Sequence, residues 1–371
     1  MRYLDFLCAV ALTASLSACG GSDDEPGGGV VIDPVDSSEV LYVVNAGQFN
    51  YSNASISRWT ENSDDVVNDL FYRANGFKLG DTAQSAVVHG AQTWIVVNNS
   101  NVIFAVDYET FREVGRVDKK LISPRYIHFV SNDKAYVSQM GCDSIAIVNT
   151  KSYTVSGMIG IPEYDSKGGS AEEFVQIGEF TYVNLWSYGN RILKIDTRAD
   201  KVVGELKTGV QPYSIVKDKN NDIWAICDGG GWDQNPVGYE APTLLCIDPE
   251  EMKVKKSFSM NLGDNISKLS VNEDRSAIYW ICNRYDGEGK NVGGVYRMSV
   301  DAASLPESPL IEGGVRNLYS MTVSPKHEDI FVADPLDYSQ PGILYHYSSE
   351  GTLKRLYHVG VIPTSYAWYL R

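Results

Sequence analysis

Residues 93–107 read TWIVVNNSNVIFAVD: an aromatic residue leads a β-branched run, a polar Asn-Asn-Ser-Asn turn follows, and a second apolar run stops at Asp107. Short runs of this composition, bounded by Asn, Gly, Asp and Pro, read as strands. No ten-residue stretch of the chain keeps a helical apolar period. The same unit recurs down the chain, with aromatic-led strands starting at Tyr42, Trp94, Tyr136, Tyr182, Trp224, Tyr279 and Phe331. Their separations of 52, 42, 46, 42, 55 and 52 residues lie near the roughly 40–50 residues of a four-stranded propeller blade.

Seven anchors predict seven blades. The third strand of each unit reads SISRW (55–59), IFAVD (103–107), IAIVN (145–149), ILKID (192–196), LLCID (244–248), VYRMS (295–299) and LYHYS (344–348), with a fourth strand after it. Asp107, Asp196 and Asp248 stand where a strand turns back, which suits turn capping better than a set of carboxylates. Innermost strands precede the anchors at 84–90, 125–130, 173–178, 213–218 and 319–324, and the first unit lacks one. The C-terminal run from Pro363 to Leu370 is an unpartnered copy, expected to complete the first blade and close the ring. The fold expected is all-β, a seven-bladed β-propeller over residues 39–371.

The beginning of the chain has another character. Arg2 precedes an apolar stretch from Phe6 to Leu16 and then Leu16-Ser17-Ala18-Cys19, the order of a secretory signal. That stretch, about eleven residues, is well short of the roughly twenty needed to span a bilayer. LSAC resembles a bacterial lipobox, so residues 1–18 are expected to be a signal peptide and Cys19 the lipidated residue. Residues 19–38, with Asp23, Asp24 and Glu25 followed by Pro26 and three glycines, read as a flexible tether. The acidic run resembles the surface-export signal of Bacteroides-type lipoproteins; a solvated linker is the alternative. The expected location is the outer membrane, held by lipid alone and facing the exterior.

With 32 Lys and Arg against 47 Asp and Glu, the formal charge of −15 argues against nucleic acid or anionic head groups as partners. His89, His128, His327, His346 and His358 show no metal-ligand spacing, and neither a haem-attachment motif nor a nucleophile elbow is present. No metal, no cofactor and no enzymatic activity are expected. Cys227 and Cys246 should lie on neighbouring strands; a disulfide is permitted in an exported protein, and buried free thiols are the commoner arrangement.

The loops after the anchor strands and the crossovers between blades must emerge on one face. They carry Phe49, Tyr51, Tyr72, Tyr126, Trp186, Tyr188, Tyr213, Trp232, Tyr285, Tyr319 and Tyr338, interleaved with amides and with Arg125, Arg284 and Arg316. These are the candidate ligand-binding residues. Flat rings with hydrogen-bonding edges suit a large, weakly charged, polyfunctional ligand such as a sugar or a tetrapyrrole-like ring. Tyr126, Tyr213, Tyr319 and Tyr366 stand where the innermost strands start, and a structural ring around the channel mouth is the other reading of them.

The segments NNSNVIFAVDYETFREVGRV (98–117) and YGNRILKIDTRADKVVGEL (188–206) resemble the YncE-like seven-bladed propellers, over residue 39 to the C-terminus. The lipobox with its acidic tether, VVNAGQFNYSNASIS (43–57), ANGFKLGDTAQSAVV (74–88) and IVVNNSN (95–101) resemble the DUF5074-type surface lipoproteins, which include the BtuG family. That resemblance implies capture of cobalamin or a related corrinoid above a TonB-dependent, BtuB-like outer-membrane transporter. The alternatives are a glycan-binding surface lipoprotein and a protein-interaction propeller without a small-molecule ligand.

Overall fold

The computed structural model describes residues 39–164, 169–314 and 316–369; the expected signal, Cys19 and the tether lie outside them. The described residues form seven antiparallel sheets. Blade two shows the repeating unit, Ala83–His89, Gln92–Val97, Val102–Asp107 and Glu113–Val117, in sequence order from the channel outward. All seven predicted anchor strands are present, each second in its blade. Asp107, Asp196 and Asp248 cap turns: each Oδ1 accepts backbone N–H groups two and three residues on, at 2.8–3.2 Å.

The anchor aromatics recur because they peg each blade to the next. The seven apolar clusters lie in the seams, each joining residues of two adjacent blades. Tyr42, Trp94, Tyr136, Tyr182, Trp224, Tyr279 and Phe331 are at most 1% exposed. Three tyrosine hydroxyls cross their seams to donate to the third-to-fourth-strand turn of the following blade. Tyr42 reaches Tyr108 O at 3.0 Å, Tyr182 reaches Pro249 O at 2.8 Å, and Tyr136 reaches the Asp200 carboxylate. A buried hydroxyl without a partner is costly, and at these three anchors the neighbouring blade supplies one.

Two blades depart from the pattern. Blade one lacks a full outer strand: a single bridge, Arg58 to Val67, stands in for it, and helix Leu70–Asn75 follows. Six residues are too few to leave a helical period in the sequence. The innermost strand of blade six is split into Asn265–Ile266 and Ser270–Val271. Cys227 faces Thr243 and Cys246 faces Trp224 across their strands. Both are free thiols, and burial pushes Cys227, Cys246 and Cys282 up to about 12, so none is a ready nucleophile.

Ring closure follows the predicted route. Pro363–Tyr369 pairs with Val40–Asn45, from Val40 opposite Tyr369 to Asn45 opposite Pro363. On the lower face, at the beginning of the Val40 strand, a polar latch adds to it. The Glu39 carboxylate accepts Ser324 Oγ and the Lys326 N–H at 2.7–2.9 Å. Glu61 accepts the Glu39 N–H, Lys326 Nζ and a His327 hydrogen bond at 2.8–3.1 Å. The Glu39 N–H first, then Lys326 and His327, hold the Glu61 carboxyl down at about 2.

A chain ending at Ile362 loses the closing strand and exposes both faces of the seam, so it should show no cooperative melt; a melt within a few degrees of the intact protein would contradict ring closure as the source of stability. The latch has its own signature. Because the folded Glu61 carboxyl lies below its ordinary value of 4.5, its contribution is full above that pH and fades as pH falls through about 2. Glu61→Gln should melt lower than the native protein at neutral pH and lose less further stability between pH 4.5 and 2, as read by circular dichroism.

Candidate functional site

Strand alternation puts the loops after the anchor strands and the inter-blade crossovers together on the upper face. Among the described residues, the exposed aromatic side chains are Phe49, Tyr51, Tyr72, Phe77, Tyr188, Trp232, Tyr239, Tyr285 and Tyr338. Every one belongs to such a loop or crossover. They form an arc over blades four to seven and one, whereas the short loops above blades two and three carry Asn98, Asn99, Asn101 and Cys142. Exposed aromatic surface confined to one face makes that face the candidate binding surface.

The arc is held from below. Asp81 accepts the Asn50 N–H at 2.9 Å and Asn99 Nδ2 at 2.7 Å, fixing the loop that presents Phe49 and Tyr51. Tyr72 lies on the short helix and, with Ala54, Phe71 and Leu79, lines a pocket of about 240 Å³. Tyr188 and Trp232 meet edge to face at 5.9 Å, and Tyr338 meets Tyr319 likewise at 5.7 Å while accepting Asn317 Nδ2 at 2.7 Å.

A cleft of about 440 Å³ lies between blades five and six, lined by residues that include Tyr213, Asp228, Tyr239, Glu240, Asp264, Asn265, Asn283 and Tyr285. Its roof is the loop from Asp228 to Pro242, fifteen residues between Ile223–Cys227 and Thr243–Asp248. Gly229, Gly230 and Gly231 all adopt positive φ, and a Cβ on Gly230 would sit 2.4 Å from Gly238 O, so only glycine fits. Buried Asn235 pins the loop by donating to Gln211 Oε1 at 2.9 Å and Gly230 O at 2.8 Å. Asp228, pushed above its ordinary range by burial, accepts Trp186 Nε1, Gln211 Nε2 and the Gly230 N–H at 2.8–3.1 Å. Arg284 forms a bidentate pair with Asp264, both bonds 2.6 Å, at the cleft's lip.

Apart from Arg284, at the cleft's lip with Asp264, the candidate residues fall into three groups. Phe49, Tyr51, Tyr72, Tyr188, Trp232, Tyr285 and Tyr338 are on the exposed arc. Arg125, Tyr126 and Tyr319 belong to the channel mouth instead; Tyr213 connects channel and cleft, and Trp186 lies beneath the cleft, edge to face with Tyr213 at 5.4 Å. Arg316 is in neither place: it donates to Gly313 O at 3.0 Å, Glu312 O at 2.7 Å and Tyr347 Oη, in the seam between blades six and seven.

The channel mouth holds groups the sequence reading did not single out. Arg125 pairs with Glu172 at 2.8 Å and donates to Gln84 Oε1 at 2.6 Å. Lys268 reaches across from blade six to Tyr126 Oη of blade three at 2.5 Å, with Glu173 at 3.8 Å. Glu172 and Glu173 were visible as two carboxylates at the start of an innermost strand. Lys268 was not, because the strand that carries it is broken. Glu39, Glu61 and His327 also bring ligand atoms within 4.8 Å of one another, but on the lower face, where both carboxylates already accept the donors of the latch.

Fold and site define a seven-bladed β-propeller with an aromatic arc and a carboxylate-bearing cleft on one face. The chain belongs to the family described as "Domain of unknown function (DUF5074)", whose model matches residues 39–340. No curated protein matches it. Among solved structures, a Bacteroides fragilis protein provisionally described as a 6-phosphogluconolactonase is similar at 13% identity and TM-score 0.65, covering 90% of this chain and 99% of that one. A similarly described Bacteroides uniformis protein is 11% identical at TM-score 0.64, covering 90% and 100%. A quinonprotein alcohol dehydrogenase-like protein of Bacteroides thetaiotaomicron is 11% identical at TM-score 0.63, covering 89% and 78%. These likenesses establish the fold.

Arg125→Met should lower the melting temperature markedly, because it takes the cation from a carboxyl that burial already pushes up, and breaking a buried pair costs about 3–5 kcal/mol. The double substitution Arg125→Met with Glu172→Gln should recover part of the loss. Native-like melting of the single variant would show that the pair is not buried in solution.

Proposed function

We propose that this propeller is a non-enzymatic capture protein, whose upper face takes cobalamin or a related corrinoid for delivery to a TonB-dependent outer-membrane transporter. One observation carries the reading: all exposed aromatic side chains among the described residues lie on one face, in an arc over five blades. An arc of that breadth suits a flat, polyfunctional macrocycle lying across it, with one edge in the cleft of about 440 Å³. The resemblance of the N-terminal region to surface lipoproteins adds the location, an outer-membrane lipid anchor at Cys19. Two of the three carboxylates lining the cleft support binding over catalysis, since Asp228 and Asp264 are committed to internal donors.

A second reading, a glycan-binding propeller, is favoured by the cleft itself. Its volume matches one or two sugar rings, and its tyrosines and carboxylates offer stacking faces and hydroxyl acceptors.

Calorimetry of the domain from residue 36 onward with cyanocobalamin tests the first reading. Binding should be measurable at micromolar protein, and Trp232→Ala and Tyr285→Ala should each weaken it about tenfold, the loss of a stacking anchor. Absence of heat with cyanocobalamin, together with binding of neutral oligosaccharides that Trp232→Ala abolishes, would replace the corrinoid with a glycan.

A further inference from the structure

The cleft between blades five and six has three carboxylates in its lining, Asp228, Glu240 and Asp264, and none of its lining residues is Lys, Arg or His. The three are not equivalent. Asp228 accepts Gln211 Nε2 on both oxygens, with Trp186 Nε1 on Oδ2 and the Gly230 N–H on Oδ1. Asp264 is neutralised by bidentate Arg284 and also accepts the Asn261 N–H at 3.1 Å. Glu240 uses Oε1 alone, to accept the Val210 N–H at 2.8 Å. Its Oε2 has no hydrogen-bond partner among the described residues, and Tyr213, Tyr239 and Tyr285 share the same cavity.

Resting on the reading that the upper face binds a ligand, we propose that Glu240 is the charge-selecting residue of the cleft: its free Oε2 accepts a hydroxyl, amide or ammonium donor from a ring-bearing group and turns away phosphorylated or carboxylated ones. The Val210 bond fixes the carboxylate so that little side-chain freedom is lost on binding, and tyrosine rings flank the entering group. An anionic group would meet the charge of Glu240 beside Asp228, while the one cation at the lip, Arg284, is already paired with Asp264, so a like charge at contact distance weakens binding by about tenfold. The selectivity extends to the fold's neighbours. A phosphate ester, the substrate type implied by the description of the Bacteroides structures, is the wrong ligand for this cleft.

Three matched pyranoses test this on fluorotyrosine-labelled protein: glucosamine, glucose and glucose 6-phosphate, read by ¹⁹F resonances of Tyr239 and Tyr285 assigned with Tyr→Phe variants. Glucosamine and glucose should shift both resonances, and glucose 6-phosphate should require at least about tenfold higher concentration. Glu240→Gln keeps an oxygen for the Val210 N–H, so its melting temperature should hold while the gap between glucose and glucose 6-phosphate narrows at least about threefold. Equal response to the phosphate ester, an unchanged ranking in Glu240→Gln, or no shift with any of the three sugars would each overturn the proposal. Titrating the same sample with cyanocobalamin separates the two questions: shifts at Tyr188 without shifts at Tyr239 or Tyr285 would retain capture and remove Glu240 from it.

Discussion

Everything in this molecule depends on burial between blades. A four-stranded antiparallel sheet has two faces, and here the apolar clusters lie between sheets, so no blade completes its core alone. The ring is what makes seven marginal units into one stable body, and it is only as sound as its last seam. The two terminal strands pair inside blade one, and the seam between that blade and blade seven is filled with aromatic rings. Trp59, Phe331, His346 and Trp368 pack ring against ring there, and Trp59 Nε1 donates to Tyr357 Oη at 3.0 Å.

A rigid ring frees its loops from structural duty on one face and concentrates them there. The lower turns are mostly short, and Asp107, Asp196 and Asp248 cap three of them; the connection over residues 300–310 of blade six is the exception. The upper loops vary from four residues above blade two to fifteen above blade five, and the cleft forms where the longest loop leans over its neighbour. Tyr213, at the start of an innermost strand, is one of the residues lining it. Lys268 and Tyr126 meet across the channel, tying blade six to blade three at its mouth.

The architecture was legible because it is periodic. Each anchor aromatic must fill a seam and three tyrosines must also cross it with a hydroxyl, so residue type is dictated at the same place in each unit. The closing strand was legible for the same reason, as a copy lacking a partner. The site was legible in part. Position on an upper loop identified the aromatics, and seven of them are exposed there. It left Tyr126 and Tyr319 open between a ring at the channel mouth and the bowl, because one residue of register decides between the two, and the structure puts both at the channel. Glu240 and Asp264 were missed for a different reason: a carboxylate in a polar loop looks like a solvated one until the loop is seen to fold over a cavity. Arg316 shows the converse error, a loop arginine whose donors belong to backbone carbonyls and a seam tyrosine.

The Glu39 latch has a mechanical meaning as well. Residue 39 is the first of the described chain and lies on the face opposite the arc, immediately before a strand hydrogen-bonded on both sides. Any pull arriving along the preceding segment meets the Glu39 carboxylate bonded to Ser324 and Lys326 of blade seven before it reaches Val40. The load is shared with the neighbouring blade instead of peeling one strand from an edge, and it acts from beneath, so tension would leave the aromatic face pointing away from whatever holds the chain.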